Sequence, residues 1–256
     1  MSIFEGYSKY YDLLYADKNY SSEAAFVLEL VRRHCPSANC LLELGCGSGG
    51  HALLLAQSGI KVCGVDRSPR MVEMARGKLG TLLPGDISQC LTFLQGDLRH
   101  IRLQKRFDAV IALFHVMSYQ VTNADVADAF RVAREHLNPG GVFVFDCWYG
   151  PGVLSAPPAV RVKRLNDHVR RITRISEPVM YASQNVVDVN YTLVVCDHDG
   201  NNLEELKETH RMRYFFVPEL EMFASQAGLR IIESREWMAG KEPDFSSWNA
   251  CFVAQE

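Results

Sequence analysis

Nowhere in the 256 residues does an apolar run approach the roughly 18 needed to cross a bilayer. The N-terminus also lacks the charged-then-apolar layout of a secretory signal, so a soluble, cytoplasmic protein is expected. No pair of cysteines is spaced C-x-x-C, and the 8 present are scattered, mostly within apolar runs. That is the distribution of small buried hydrophobes, which argues against a disulfide frame and against a metal site. There is no excess of positive charge: the formal net charge is −3, which gives no footprint for nucleic acid and favours a small-molecule partner. Internal repeats, low-complexity tracts and long linkers are missing as well. With 48% hydrophobic residues the chain can bury a sizeable core as a single elaborated domain, working as a monomer or homodimer.

What is present centres on Cys40-Leu-Leu-Glu-Leu-Gly-Cys-Gly-Ser-Gly-Gly-His51, a short apolar run that breaks into glycines and then into a helical pattern. It predicts strand, tight turn, helix. Gly45 and Gly47 let the backbone approach a ligand, and the helix start near Ser48 offers free N–H groups. The G-x-G-x-x-G spacing of Gly45, Gly47 and Gly50, with Asp66 following, also fits a dinucleotide site. Glu43 separates the two readings, because a carboxylate just before the turn repels a pyrophosphate and suits a ligand carrying ammonium and sulfonium charge.

Further strands are predicted at Lys61 to Asp66, Leu91 to Asp97, Phe107 to Phe114 and Val142 to Trp148, alternating with helices. One helix, Ser21 to His34, has Ser21 or Ser22 as its expected cap; another runs from about Asn123 to His136. This rhythm gives an α/β fold with a doubly wound, mostly parallel sheet. Beyond Trp148 the texture changes to period-two alternation over 160–165, 169–175, 186–195 and 206–216, read as a small antiparallel β insertion. A helix from Pro218 and strands at 229–237 and 248–254 close the chain. The expected layout is an N-terminal lid over 1–20, a core over 21–150, the insertion over 151–216 and the end of the core sheet over 217–256.

Glu43-Leu-Gly-Cys-Gly-Ser-Gly resembles the first motif of the class I S-adenosylmethionine (SAM) methyltransferases, and Asp66, Gly96-Asp97 and Pro139-Gly-Gly141 stand where that family has its later motifs. The resemblance implies a seven-stranded Rossmann-like sheet and a cofactor site using Glu43, Gly45, Gly47, Ser48, Asp66, Arg67, Met71, Asp97, Leu98, Leu113 and Phe114. In it Asp66 takes the ribose hydroxyls, Arg67 and Met71 flank the adenine, and Asp97 receives the adenine amino group. The plainer reading of Asp66, as a cap of the helix opened by Ser68-Pro69, is the less favoured one.

Tyr11-Asp-Leu-Leu-Tyr15 resembles the entry of small-molecule methyltransferases, in which an N-terminal tyrosine segment folds over SAM; on composition alone it is equally a packed surface segment. Phe114-His-Val-Met-Ser-Tyr119, Cys147-Trp-Tyr-Gly-Pro151 and Glu208-Thr-His-Arg211 are similar to bacterial methyltransferases related to the dTDP-aminosugar N-methyltransferases. Chains of that kind are implied for cell-surface polysaccharide clusters.

The expected reaction is methyl transfer from SAM, leaving S-adenosylhomocysteine (SAH), to an amine or hydroxyl of a small polar acceptor that is phosphate- or nucleotide-activated. His115 and His210 are candidate bases and Tyr119 a hydroxyl partner; Trp148, Tyr149, Arg211 and Arg213 are expected at the acceptor. Each histidine reads also as structural, and the arginines as solvated strand faces. An enzyme of the same fold that cyclises SAM or transfers its aminocarboxypropyl group, and a nicotinamide enzyme or non-catalytic binder, are the alternatives.

Overall fold

The computed structural model describes residues 6–82 and 89–256; the first five residues of the expected lid lie outside the described residues. Five parallel strands form the first part of the sheet: β1 (Cys40–Leu44), β2 (Lys61–Asp66), β3 (Leu91–Gln95), β4 (Phe107–Ala112) and β5 (Leu137–Tyr149), in the order β3-β2-β1-β4-β5. Their near-continuous burial follows from Val, Ile, Leu and Phe runs covered on both faces.

After the short α1 (Tyr11–Leu14), helices α2 (Tyr20–His34), α3 (Gly50–Gln57) and α4 (Pro69–Leu82) lie on one face, with α2 and α3 packing Ala24, Val27, Leu55 and Ala56 onto Leu41 and Ile111. On the other, α5 (Asn123–His136) buries Val126, Ala129 and Phe130 against Val110, Phe143 and Phe145. The N-cap of α2 is Asn19, whose side chain accepts the Ser22 N–H at 3.0 Å, in place of the expected Ser21 or Ser22. A residue two positions before the first serine can cap because its carbonyl oxygen reaches the same orphan N–H groups. Helix α4 starts as read, with Ser68 Oγ accepting the Met71 N–H.

After β5, the short α6 (Gly150–Ser155) leads into an antiparallel sheet of β6 (Arg161–Asn166), β7 (Arg170–Tyr181), β8 (Val186–Asp197) and β9 (Asn202–Phe215). The chain returns through α7 (Val217–Gln226) to β10 (Arg230–Glu236) and β11 (Asn249–Gln255), and β11 pairs antiparallel with β5. The end of β5 also pairs in parallel with β9, Trp148 with Tyr214 and Tyr149 with Phe215, so the two sheets join at the point where the core strands present their C-terminal ends.

The N-terminal segment is strapped across this junction. Ser48 donates to Asp12, Lys163 reaches Asp17 and the Leu14 carbonyl, Tyr10 donates to Glu204, and the Gly6 N–H donates to Glu208. Tyr10 and Leu14 pack with Ile172, Leu193 and Val195 of the insertion. Among the described residues no helix is long and apolar enough to cross a membrane.

Candidate active site

Parallel strands end together, and their loops leave a crevice at that edge. Here the crevice is a cavity of about 350 Å³ between the glycine turn, the strap and the insertion. It gathers Tyr11, Tyr15, Glu43, Gly45, Gly47, Ser48, Asp66, Arg67, Met71, Asp97, Leu98, Leu113, Phe114, His115, Tyr119, Trp148 and His210 on one wall system.

The turn itself depends on its glycines. Gly45 has φ +72 and a Cβ there would lie 2.5 Å from Val116 Cγ2; Gly47 has φ +53. The Gly47 N–H donates to Asp66 Oδ2 and the Ser68 N–H to Asp66 Oδ1, both at 2.8 Å. An ionised carboxylate has about four acceptor sites, so Asp66 retains capacity for a diol in the cavity while also holding the turn. Burial pushes its carboxyl above the usual range, with the two N–H donors pulling back.

Glu43 is 2% exposed and its Oε2 has no hydrogen-bond partner. Burial, joined by the neighbouring Asp66, pushes its carboxyl up to about 8. A desolvated acid facing a cavity without a counter-charge fits a cationic ligand group. Asp97 is different: Arg99 donates to Oδ1 from Nε at 2.9 Å and to Oδ2 from Nη2 at 2.6 Å, holding the carboxyl down at about 2. Arg99 also reaches Asp125 in the first turn of α5. Asp97 therefore meets a ligand as an oriented anion whose charge is already matched.

Phe114 and His115 both take left-handed backbone, φ 64 and 63. Two consecutive non-glycine residues in that region are costly and mark a site where surrounding contacts over-determine the backbone. The contact here is Asp146, fully buried, which accepts the His115 N–H at 3.1 Å and places Oδ2 2.7 Å from His115 Nδ1. The ring contact is an electrostatic approach, not an aligned hydrogen bond. From the insertion, His210 Nδ1 lies 2.8 Å from the Tyr119 hydroxyl and its Nε2 lies 3.3 Å from Glu208. Burial pushes the Tyr119 phenol well above its usual range, so it is a hydrogen donor to His210.

Three expected acceptor residues do not line the cavity. Arg213 is 7% exposed and committed to Glu219 and Asn123, while Arg211 binds Asp188 and Gln184 beside Tyr181. Both lie on the strand face opposite His210, as period-two alternation demands. Tyr149 pairs with the insertion through its backbone and packs beside the cavity rather than into it. Conversely, the sequence reading passed over Tyr20, His51, Arg99, Gln120, Tyr191 and Met212, all of which line the cavity. Among the described residues no group of three His, Cys, Asp or Glu side chains is placed to hold a metal ion.

A family model described as a methyltransferase domain matches residues 41–141. The dTDP-3-amino-3,4,6-trideoxy-alpha-D-glucopyranose N,N-dimethyltransferase of Streptomyces venezuelae is 30% identical over 86% of this chain and 89% of its own. Among solved structures, the sugar N-methyltransferase KedS8 from Streptoalloteichus sp ATCC 53650 superposes with TM-score 0.81 at 25% identity, covering 100% of this chain and 95% of that one. SAM-bound CalS10, an amino pentose methyltransferase from Micromonospora echinaspora, gives 0.75 at 27% identity over 99% and 98%. A glycine turn facing a buried, unmatched acid, set in this sheet order and shared with such relatives over most of their length, places the chain in the class I SAM-dependent methyltransferases.

Proposed function

We propose that this enzyme methylates the amine of a small polar acceptor, a nucleotide-activated aminosugar that serves as precursor of a surface polysaccharide or a secondary metabolite. The Streptomyces venezuelae relative is named for a dTDP-aminosugar, KedS8 for a sugar and CalS10 for an amino pentose. The observation that carries the reading is that one cavity is walled both by the glycine turn with Asp66 and by histidines backed by acids, His115 by Asp146 and His210 by Glu208.

In this reading Glu43 holds the methionyl ammonium, Asp66 the ribose hydroxyls, and Asp97 with Leu98 and Met71 the adenine. Gly45, Gly47 and Ser48 form the turn beneath, while Arg67, Leu113 and Phe114 line the sides and Tyr11 and Tyr15 close the strap side. Bound SAM supplies an already activated methyl group, so the protein contributes mainly alignment and a dry site. Phe114, Tyr15 and Trp148 exclude water; the Tyr15 ring stands edge-on to Phe114 at 5.0 Å.

An aminosugar is largely protonated at neutral pH and must lose a proton before its nitrogen can attack. His115 takes that proton at Nε2: its Nδ1 faces Asp146, which stabilises the imidazolium that forms. The Tyr119–His210–Glu208 chain orients the acceptor, with Trp148 as the stacking surface for its ring. Incubating the enzyme with SAM and a panel of dTDP-aminosugars and neutral aminosugars tests this. The expected result is SAH together with an acceptor one or two methyl groups heavier. Methylthioadenosine as product, or methylation confined to hydroxyl acceptors, would overturn it.

A further inference from the structure

Behind Glu43 runs a line of buried charge that the chemistry above does not use. His51, in the first turn of α3, donates from Nε2 to Glu23 Oε2 at 2.8 Å and places Nδ1 3.7 Å from Glu43 Oε1. Glu23, in the first turn of α2, also takes an ion pair from Lys18, whose ammonium sits 4.1 Å over the Phe114 ring in the cavity wall. The side chains of Lys18, Glu23, His51 and Glu43 are 9%, 12%, 6% and 2% exposed. Burial pushes Glu23 upward, yet hydrogen bonds from His51 and Lys18 more than offset it and hold its carboxyl low.

Joining α2 to α3 does not require such a line. An apolar pair would do so without the desolvation that buried ions incur. Two acids flank one imidazole: the outer, already paired with Lys18, anchors the ring by a hydrogen bond, and this sets the other ring nitrogen 3.7 Å from the inner one. Glu43 thus lines the cavity with its Oε1 in electrostatic reach of His51 and its Oε2 buried without a hydrogen-bond partner.

We propose that His51 and Glu23 are positioning residues for the cofactor's ammonium group, fixing the Glu43 side chain where it lines the cavity. Lys18 carries the line to the strap that covers the site. The proposal rests on the reading above that Glu43 meets the ammonium.

Calorimetry with SAH and with its analogue lacking the amino group separates this role from a structural one. Glu43→Gln, His51→Asn and Glu23→Gln each weaken SAH about tenfold and leave the desamino analogue within about twofold of wild type, so that the ratio between the two ligands collapses. The retained analogue binding also shows that each variant is folded. Should Glu43→Gln lose the discrimination while His51→Asn and Glu23→Gln keep it, or should the latter two weaken both ligands alike, the positioning role is wrong and the Glu43 assignment stands. Should Glu43→Gln itself keep the discrimination, both fall.

Discussion

His115 Nδ1 lies 2.7 Å from Asp146 Oδ2, and the same carboxylate holds the His115 backbone N–H in a left-handed turn. One fully buried acid thus sets both the ring and the main chain of a residue that lines the cavity. Replacing His115 with Asn is expected to lower kcat by ~100-fold with little change in the affinity for SAH, as loss of a general base does. Asp146→Asn should cost activity through the same ring, lowering kcat at saturating acceptor. A His115→Asn enzyme with wild-type turnover would remove the histidine from the chemistry.

Tyr119 and His210 act as a unit, so their substitutions should not add. Tyr119→Phe and His210→Gln are each expected to raise KM for the acceptor, and the double variant should be little worse than the poorer single one. Steady-state kinetics with the acceptor varied at saturating SAM reads this directly.

Glu43 gives the free enzyme a definite pH dependence. Its folded carboxyl titrates at about 8 against 4.5 unfolded. With the folded value raised, the unfolded chain binds fewer protons between those limits, and stability present below 4.5 is lost as pH rises to about 8. Glu43→Gln removes this, so the ligand-free variant should gain on wild type by on the order of 1 to 3 kcal/mol at the alkaline end. Thermal unfolding across the range measures it; equal slopes for the two proteins would refute it.

Arg213 and Arg211 differ sharply although only one residue separates them. Arg213→Leu leaves Glu219 without its buried partner and should destabilise the fold by about 3 kcal/mol. Arg211, with 41% of its side chain exposed, should cost less than about 1 kcal/mol when replaced by Ala. Neither change is expected to alter acceptor KM in the folded fraction, as read by denaturant melts beside kinetics.

Arg99 is worth testing as the group that aims Asp97. Arg99→Leu should raise KM for SAM several-fold while kcat at saturation holds, because Asp97 loses both its orientation and its matched charge while the groups around His115 are untouched.

Much of this was legible in the chain itself. Two core strands led into acids and the insertion alternated with period two, so strand positions and the mostly parallel sheet could be read from where apolar runs met glycine and aspartate, while the order of the strands came only with the fold. The same alternation should have separated His210 from Arg211 and Arg213, since neighbours on a strand face opposite ways. Treating them as one basic cluster overlooked it. His51, Glu23 and Lys18 were beyond sequence reading for another reason: their meeting depends on how α2 crosses α3, a relationship no local spacing encodes. Arg99 did carry a signal, two residues after Asp97, but only the fold shows its guanidinium turning back.

The junction at the end of β5 divides the labour of the chain. Among the described residues, ladder pairing joins the core strands and the insertion sheet at Trp148 and Tyr149 alone, while the hairpin at 197–202 lies at the far, exposed end of β8 and β9. That seam is two residue pairs wide, so the cavity wall bearing Tyr191, His210 and Met212 is joined to the sheet that carries the glycine turn by a narrow strip of backbone.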